Sequence, residues 1–314
     1  MNADIQAPAF TDDETAREAM EKVLWPHGPV CPHCGAMDKL GKVEGKSARA
    51  GLYYCGHCKA QFTVTVGTIF ERSKVPLSKW WFAVHLLASG KKGVSSHQIG
   101  RMLGVSYQTA WFMTHRIREA MSSGGLPPMG GEGEIVEIDE TYIGTKEGVA
   151  KSRAGGSHKN AVLTLVERGG SARSFHVESV SKADILPIIK ANVDKKSRLM
   201  TDEANRYTHL GKEFASHQSV DHSRDEYAYY DKMSDTMVGT NTVEGFYSIF
   251  KRGMKGVYQH CGEKHLHRYL AEFDFRYSNR AKLGVNDALR AAKIVAGAKG
   301  KRLMYRRPDE GTVA

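Results

Sequence analysis

Four of the five cysteines fall in two CxxC pairs, "CPHCG" (Cys31, Cys34) and "YCGHC" (Cys55, Cys58), with twenty residues between Cys34 and Cys55. C-x2-C-x20-C-x2-C is zinc-ribbon spacing. Each CxxC turn points two sulfurs one way, and two such turns complete a tetrahedron of thiolates. Gly35 and Gly56 suit the unusual backbone of these turns, and Lys59 places a cation near a doubly negative centre. Two disulfides, or two redox pairs, are the alternatives. No basic segment followed by an apolar stretch opens the sequence, so an oxidising destination is not expected. One structural Zn2+ per chain is. His33 and His57 lie inside the turns and are expected to be exposed rather than ligating; Cys261 stands alone as an inert thiol.

A second set of candidates is acidic and scattered. "IVEIDETYIG" climbs through β-branched residues to Asp139, and "SRLMTDEANRY" ends a short apolar run in Asp202. "NTVEGFYSIFK" offers Asn241 and Glu244 at a helix start, with Lys251 seven residues after Glu244, two turns up the same face. Carboxylates brought together in this way can hold two Mg2+ or Mn2+ ions for in-line phosphoryl transfer. The plain alternatives are strand ends reaching water and, for Asn-x-x-Glu, a capping box with Asn241 as N-cap. Strand alternation puts Glu137 on the face of Asp139 and turns Glu140 away, and both read as solvent groups. His222 and Glu226 in "HSRDEYA" are weaker candidates beside the site.

These residues need elements to position them. Residues 1–28 read as a short amphipathic helix with a tail, and 29–67 as the ribbon, closing in the strand-like "QFTVTVGTIF". Residues 74–123 read as helical. "VPLSKWWFAVHLLAS" has Ser78 as its expected N-cap. A helix from Ser95 or Ser96 carries Ile99, Met102 and Leu103, Gly104 breaks it, and Ser106 caps the next. Two short helices about a Gly turn match a helix-turn-helix module, with a plain helical hairpin as the alternative. Tyr107, Gln108, Thr109, His115 and Arg116 would then lie on or near the recognition face. A Gly- and Pro-rich linker spans 122–134.

Beyond the linker, "GEIVEIDETYIG", "NAVLTLVERGG" and "ARSFHVESV" predict three antiparallel strands. A helix capped by Ser181 follows, with Pro187 expected to kink it or delay its start. Then come a strand ending in Asp202 and a long helical region from "TNTVEGFYSIF". This order is that of an α/β, ribonuclease H-like domain, assigned to 132–290, with 291–314 as a basic tail. In that fold the first and fourth strands are neighbours, so Asp139 and Asp202 meet.

Lys and Arg number 45 against 35 Asp and Glu, a net charge of +10, which fits a polyanionic partner. No apolar run approaches the ~20 residues needed to span a bilayer. The stretches "CPHCG", "GTIFERSKVPLSKWW", "IVEIDETYIG", "TDEANRY", "HSRDEYA" and "NTVEGFYSIFKRGMKGVY…HLHRYLAEFDFRYSNR", in this order, resemble the DDE transposases of bacterial insertion sequences. The resemblance is to the zinc-ribbon group named for insertion sequence 1595 and runs from the ribbon to about Arg280. It implies a catalytic core preceded by a zinc ribbon and a helical DNA-binding module, two catalytic Mg2+ or Mn2+ ions, and cutting and joining at the element's terminal inverted repeats. It implies DNA as partner, a homo-oligomer on DNA, no membrane, and a cytoplasmic, nucleoid-associated protein. By position Asp139 and Asp202 are the first two catalytic acids, and Asn241 or Glu244 is the third. Lys251, Arg252, Lys255, Arg116 and Gln108 are expected DNA contacts, and His265, His267, Arg268, Arg276 and Arg280 further phosphate contacts. A nuclease of the same fold without strand transfer, and a zinc-ribbon regulator with an inactive core, are the alternatives.

Overall fold

The computed structural model describes residues 7–45, 47–150, 158–202, 207, 210–220 and 228–303. The chain divides into two units. The first takes residues 1–90, 94–123 and 285–314, and the second takes 91–93 and 124–284. His222 and Glu226 lie outside the described residues.

The first unit begins with α1 (Asp13–Leu24), whose N-cap Asp12 accepts a hydrogen bond from the Thr15 N–H. The ribbon follows as a three-stranded antiparallel sheet, β1 (Leu40–Lys42), β2 (Tyr53–Cys55) and β3 (Gln61–Phe62). Its small core is Cys31, Cys55 and Phe62, flanked by Trp25 and Tyr53. The strand expected over "QFTVTVGTIF" is short. After Phe62 the chain turns, with Thr68 Oγ1 bonded to the Thr65 carbonyl and Gly67 at φ +73°.

Helix α2 (Leu77–Ser89) is capped differently from expectation. Pro76 is its N-cap, and the Ser78 N–H and hydroxyl both donate to Asp13 of α1. Helices α3 (Ser96–Leu103) and α4 (Tyr107–Met121) start where the sequence places them. Ser95 and Ser106 accept from the Gln98 and Thr109 N–H groups, and Gly104 closes α3 at φ +61°.

The second unit is a five-stranded mixed sheet. Strands β4 (Ile135–Ile143), β5 (Asn160–Glu167) and β6 (Ala172–Val177) run antiparallel. Helix α5 (Lys182–Asn192) then leads to β7 (Arg198–Asp202) and β8 (Ser216–Val220). These are parallel to each other, and β7 is parallel to β4, giving the order β6-β5-β4-β7-β8. A hairpin, β9 (Ala228–Asp231) and β10 (Thr236–Gly239), precedes α6 (Asn241–Gly253), a π-turn over Met254–Tyr258, and α7 (Leu266–Ser278).

Period-two alternation splits the sheet into two faces. Val136, Ile138, Leu163 and Leu165 pack with Ile185 and Ile189 of α5. Val162 and Val166 pack with Val243, Phe246 and Phe250 of α6 and with Leu270 and Phe273 of α7. Helix α5 runs through Pro187 without ending. Pro187 and Ala183, whose carbonyl loses its donor to the proline, are both exposed, so the proline sits on the solvent side of the helix.

Helix α8 (Asp287–Ala296) crosses the boundary the sequence suggests between catalytic domain and tail. It belongs to the first unit, packs on α2, and sends Arg290 Nη1 to the Ala88 carbonyl at 2.8 Å.

Candidate active site

The four ribbon sulfurs converge. Cys31 and Cys58 Sγ are 3.6 Å apart, as are Cys34 and Cys55 Sγ, and all four lie within 4.8 Å of one another. A tetrahedral Zn–S4 centre with bonds of about 2.3 Å has sulfur–sulfur edges of about 3.8 Å, so the set fits zinc. Both turns repeat one backbone pattern. The Gly35 N–H bonds the Cys31 carbonyl with Gly35 at φ +77°, and the Lys59 N–H bonds the Cys55 carbonyl with Lys59 at φ +60°. Backbone N–H groups of Cys58 and then His57 pull the Cys55 thiol down, while burial and the neighbouring sulfurs push Cys34 and Cys58 up, so the later thiolates need a cation beside them. His57 is turned outward to Asp38 at 3.0 Å and does not join the set.

The acidic site is built by register. Glu137 on β4 pairs with Met200 on β7; two residues further along each strand stand Asp139 and Asp202. Asp139 is not the last residue of its strand, because β4 continues along β5 to Ile143. Only its β7 side ends there, and that opening admits the carboxylates. Oxygens of Asp139, Glu140 and Asp202 lie within 4.8 Å of one another. Glu140 therefore is not the solvent group that alternation suggests. It starts from the opposite face but turns into the opening, held by the Tyr207 hydroxyl, which donates to its Oε1.

Burial, then the neighbouring Asp202 and Glu244 charges, push the Asp139 carboxyl up to about 6. The Glu140 N–H, donating to Asp139 Oδ1 at 2.7 Å, and the Lys251 ammonium oppose the shift. Glu244 and Lys251 are thus close enough on α6 for Asp139 to feel both. Lys251 lies over the Tyr247 ring at 5.6 Å, and the Tyr247 hydroxyl donates to the Asp139 carbonyl at 2.7 Å. Hard oxygen donors crowded in a half-buried opening suit Mg2+ or Mn2+, whose charge makes the crowding tolerable.

The capping box does not form. Thr240 is the N-cap of α6 and its hydroxyl donates to Glu244 Oε1 at 2.9 Å; Asn241 is exposed in the first turn. The helix N-terminus is capped from the sheet by Glu137, the residue read as solvent. Glu137 is fully buried. Its Oε2 accepts from the N–H groups of Thr242 and Val243, and its Oε1 from the Thr242 hydroxyl and Arg168 Nε.

Several expected DNA contacts are structural instead. Arg116 is buried, and its guanidinium donates to the carbonyls of Ile69, Glu71 and Leu303 and stacks on Phe112. It is too occupied and too deep to meet a phosphate. His115 is buried against Trp111. Arg276 is buried on Glu272, and Arg280 donates to the carbonyls of Gly170 and Tyr277. By contrast Gln108 and Tyr107 are exposed on the first turn of α4, where Tyr107 stacks on His97 at 4.1 Å. Arg252 and Lys255 are exposed beyond Lys251, and Arg268 reaches His265 at 3.0 Å.

Comparison with known proteins agrees with this division. A protein-family model described as an ISXO2-like transposase domain matches residues 131–278, from just before β4 to the end of α7. A second, described as a transposase zinc-ribbon domain, matches residues 11–61. An uncharacterized protein in transposable element ISH50 of Halobacterium salinarum is 26% identical over 283 residues, 85% of this chain and 91% of that one. A chain of the simian T-cell lymphotropic virus intasome in complex with PP2A regulatory subunit B56 gamma aligns at 14% identity with a TM-score of 0.28. That alignment covers 56% of this chain and 63% of the other.

Proposed function

The chain belongs to the insertion-sequence transposases of the zinc-ribbon group named for insertion sequence 1595, and on that premise we propose that it cuts its element's ends and joins them to target DNA. The observation that carries the chemistry is the meeting of Asp139, Asp202 and Glu140 at the opening between β4 and β7. The sheet order β6-β5-β4-β7-β8, three strands antiparallel and the last two parallel to the first, supports a ribonuclease H-like catalytic unit.

Asp139 and Asp202 hold the catalytic cations, with Glu140 beside them, and Glu244 completes the set from α6 in preference to Asn241. The charged carboxylate of Glu244, a stronger donor to Mg2+ than the amide oxygen of Asn241, supports that choice. Bound Mg2+ or Mn2+ would activate the attacking oxygen and stabilise the leaving oxygen of an in-line displacement. Tyr247 fixes the Asp139 backbone from α6. Lys251 holds the phosphate beside the cleavage point, and Arg252 and Lys255 hold the backbone further along. Gln108 and Tyr107 at the exposed start of α4 read the element end in a helix-turn-helix of α3 and α4. Since two ends must be cut and joined together, the protein works as a homo-oligomer on DNA, in the cytoplasm at the nucleoid. No described helix is long and apolar enough to cross a membrane.

The test is cleavage of a labelled element end in Mg2+ or Mn2+, followed by joining to a second, unlabelled duplex. Cutting and joining support the transposase. Cutting without joining replaces it with a nuclease, and specific binding without cutting replaces it with a regulator.

A further inference from the structure

Glu137 and Arg168 play no part in the chemistry above, yet they form a fully occupied polar contact beneath the site. Both oxygens of Glu137 are used twice. Oε1 accepts from Arg168 Nε at 2.6 Å and from the Thr242 hydroxyl at 2.7 Å. Oε2 accepts from the Thr242 N–H at 2.7 Å and the Val243 N–H at 3.0 Å. Arg168, just beyond β5, spends its other nitrogens on the chain that leads into α6. Nη1 donates to the Met237 carbonyl at 2.6 Å and Nη2 to the Gly239 carbonyl at 2.9 Å. Its own N–H donates to the Ile135 carbonyl at the start of β4.

This is an unusual way to begin a helix. The N-cap of α6, Thr240, makes no side-chain capping bond, so the first free N–H groups are met by a carboxylate from another element. That carboxylate is two residues from Asp139, on the same strand and face. The N–H groups it holds belong to Thr242 and Val243, immediately before Glu244. A carboxylate that takes two consecutive N–H groups fixes both the height and the rotation of the helix, where one bond would leave a swivel. Arg168 balances the buried charge and ties down both approaches to the helix, β4 and the end of β10.

We propose that Glu137, backed by Arg168, is a positioning residue that sets α6 against β4, and so sets the spacing of Glu244 and Lys251 from Asp139 for catalytic metal binding. The inference rests on the metal site proposed above. Its energetic logic is that of groups behind metal ligands, whose loss typically costs about 10–100-fold in metal affinity or activity. Glutamine at 137 would keep the shape but turn an NH2 group toward donors, so at least one clamp bond is lost.

The experiment uses the full-length protein with its zinc, titrated with Mn2+ and followed by the paramagnetic signal of free Mn2+, beside element-end binding and cleavage. Glu137→Gln should weaken Mn2+ binding about 10–100-fold and slow cleavage at saturating DNA by a similar factor, with end affinity unchanged. Lysine at 168 keeps the charge but cannot reach Glu137 and two carbonyls at once, so Arg168→Lys should give the same pattern more weakly. It also carries the test alone if Glu137→Gln does not fold. Parental Mn2+ affinity and cleavage in a folded variant, with only a lower melting temperature, would overturn the proposal and leave Glu137 a helix cap. Asp139→Asn separates the two levels. If it binds Mn2+ and cuts like the parent, the metal site itself is misassigned. If it loses both while the folded Glu137 and Arg168 variants lose neither, the site stands and only the positioning role falls.

Discussion

The ribbon and the sheet each gather side chains of metal-ligating type, but they do so by different means. The ribbon's sulfurs are aimed by their own turns, through Gly35 and Lys59 in the left-handed region and N–H groups two or three residues away. Little core stands behind them beyond Phe62, Trp25 and Tyr53. The sheet's carboxylates are aimed by strands that meet only after folding, with apolar clusters packed on both faces. One site should therefore depend on its metal to fold, while the other should be folded first and strained until metal arrives.

The largest effect expected from this contrast is in the ribbon. A structural zinc in a small domain contributes on the order of 10–16 kcal/mol of folding free energy. Cys31→Ser should abolish zinc binding and unfold the ribbon while the sheet keeps its own melting transition. Elemental analysis should find about one zinc per parental chain, and hydrogen exchange should show ribbon amides unprotected in the variant. Zinc-free protein with protected ribbon amides would erase the contrast.

Next is the rate. Asp139→Asn and Asp202→Asn should each slow nicking by at least ~10³-fold, and the double variant should be little worse than either, as for residues acting as one unit. End binding should be unchanged, because the loss falls on the transition state. A multiplicative double variant would mean that the two acids act separately.

A smaller effect sharpens the comparison within α4. Arg116→Gln breaks buried bonds to the carbonyls of Ile69 and Glu71 and should cost about 3 kcal/mol of stability. Gln108→Ala should leave stability within about 0.5 kcal/mol. It should weaken discrimination of the element end by about 1–3 kcal/mol. Denaturant unfolding and competition binding read the two; equal effects of both variants on binding would return Arg116 to the DNA face.

What could be read from the sequence follows the same line. The four-cysteine cluster was legible because C-x2-C is a local geometry. The starts of α3, α4 and α5 were legible because Ser95, Ser106 and Ser181 cap their own chain. The caps of α2 and α6 were not, because Asp13 and Glu137 come from other elements, and no spacing rule connects residue 137 to residue 242. Alternation put Glu137 on the correct face but could not say that α6 covers that face. Glu140 was misplaced because alternation describes a paired strand, and β4 loses its β7 partner at that point. Arg116 was misjudged since a basic residue on a candidate recognition helix looks the same whether it meets phosphate or three carbonyls.

A last prediction tests whether the acid site is strained without metal. Burial and its neighbours hold Asp139 at about 6, above the ordinary aspartate value near 3.9. A carboxyl raised by folding favours the fold when protonated. Its contribution is therefore most favourable below the unfolded value, is lost as pH climbs from ~4 to ~6, and stays lost above that. Asp139→Asn keeps an acceptor for the Glu140 N–H and removes the charge. In buffer without Mg2+ or Mn2+, but with the ribbon zinc left in place, the variant's sheet should be more stable than the parent's by about 2 kcal/mol at pH 8. The gain should shrink by roughly 1 kcal/mol on going to pH 5.5. Saturating Mg2+ should reverse the sign, because only the parent gains by binding it. Urea unfolding followed by hydrogen exchange at sheet amides isolates this unit from the ribbon. A parent more stable than Asp139→Asn at pH 8 without added metal would show that the carboxylates do not repel, and that the opening beside β4 is relaxed before any cation enters.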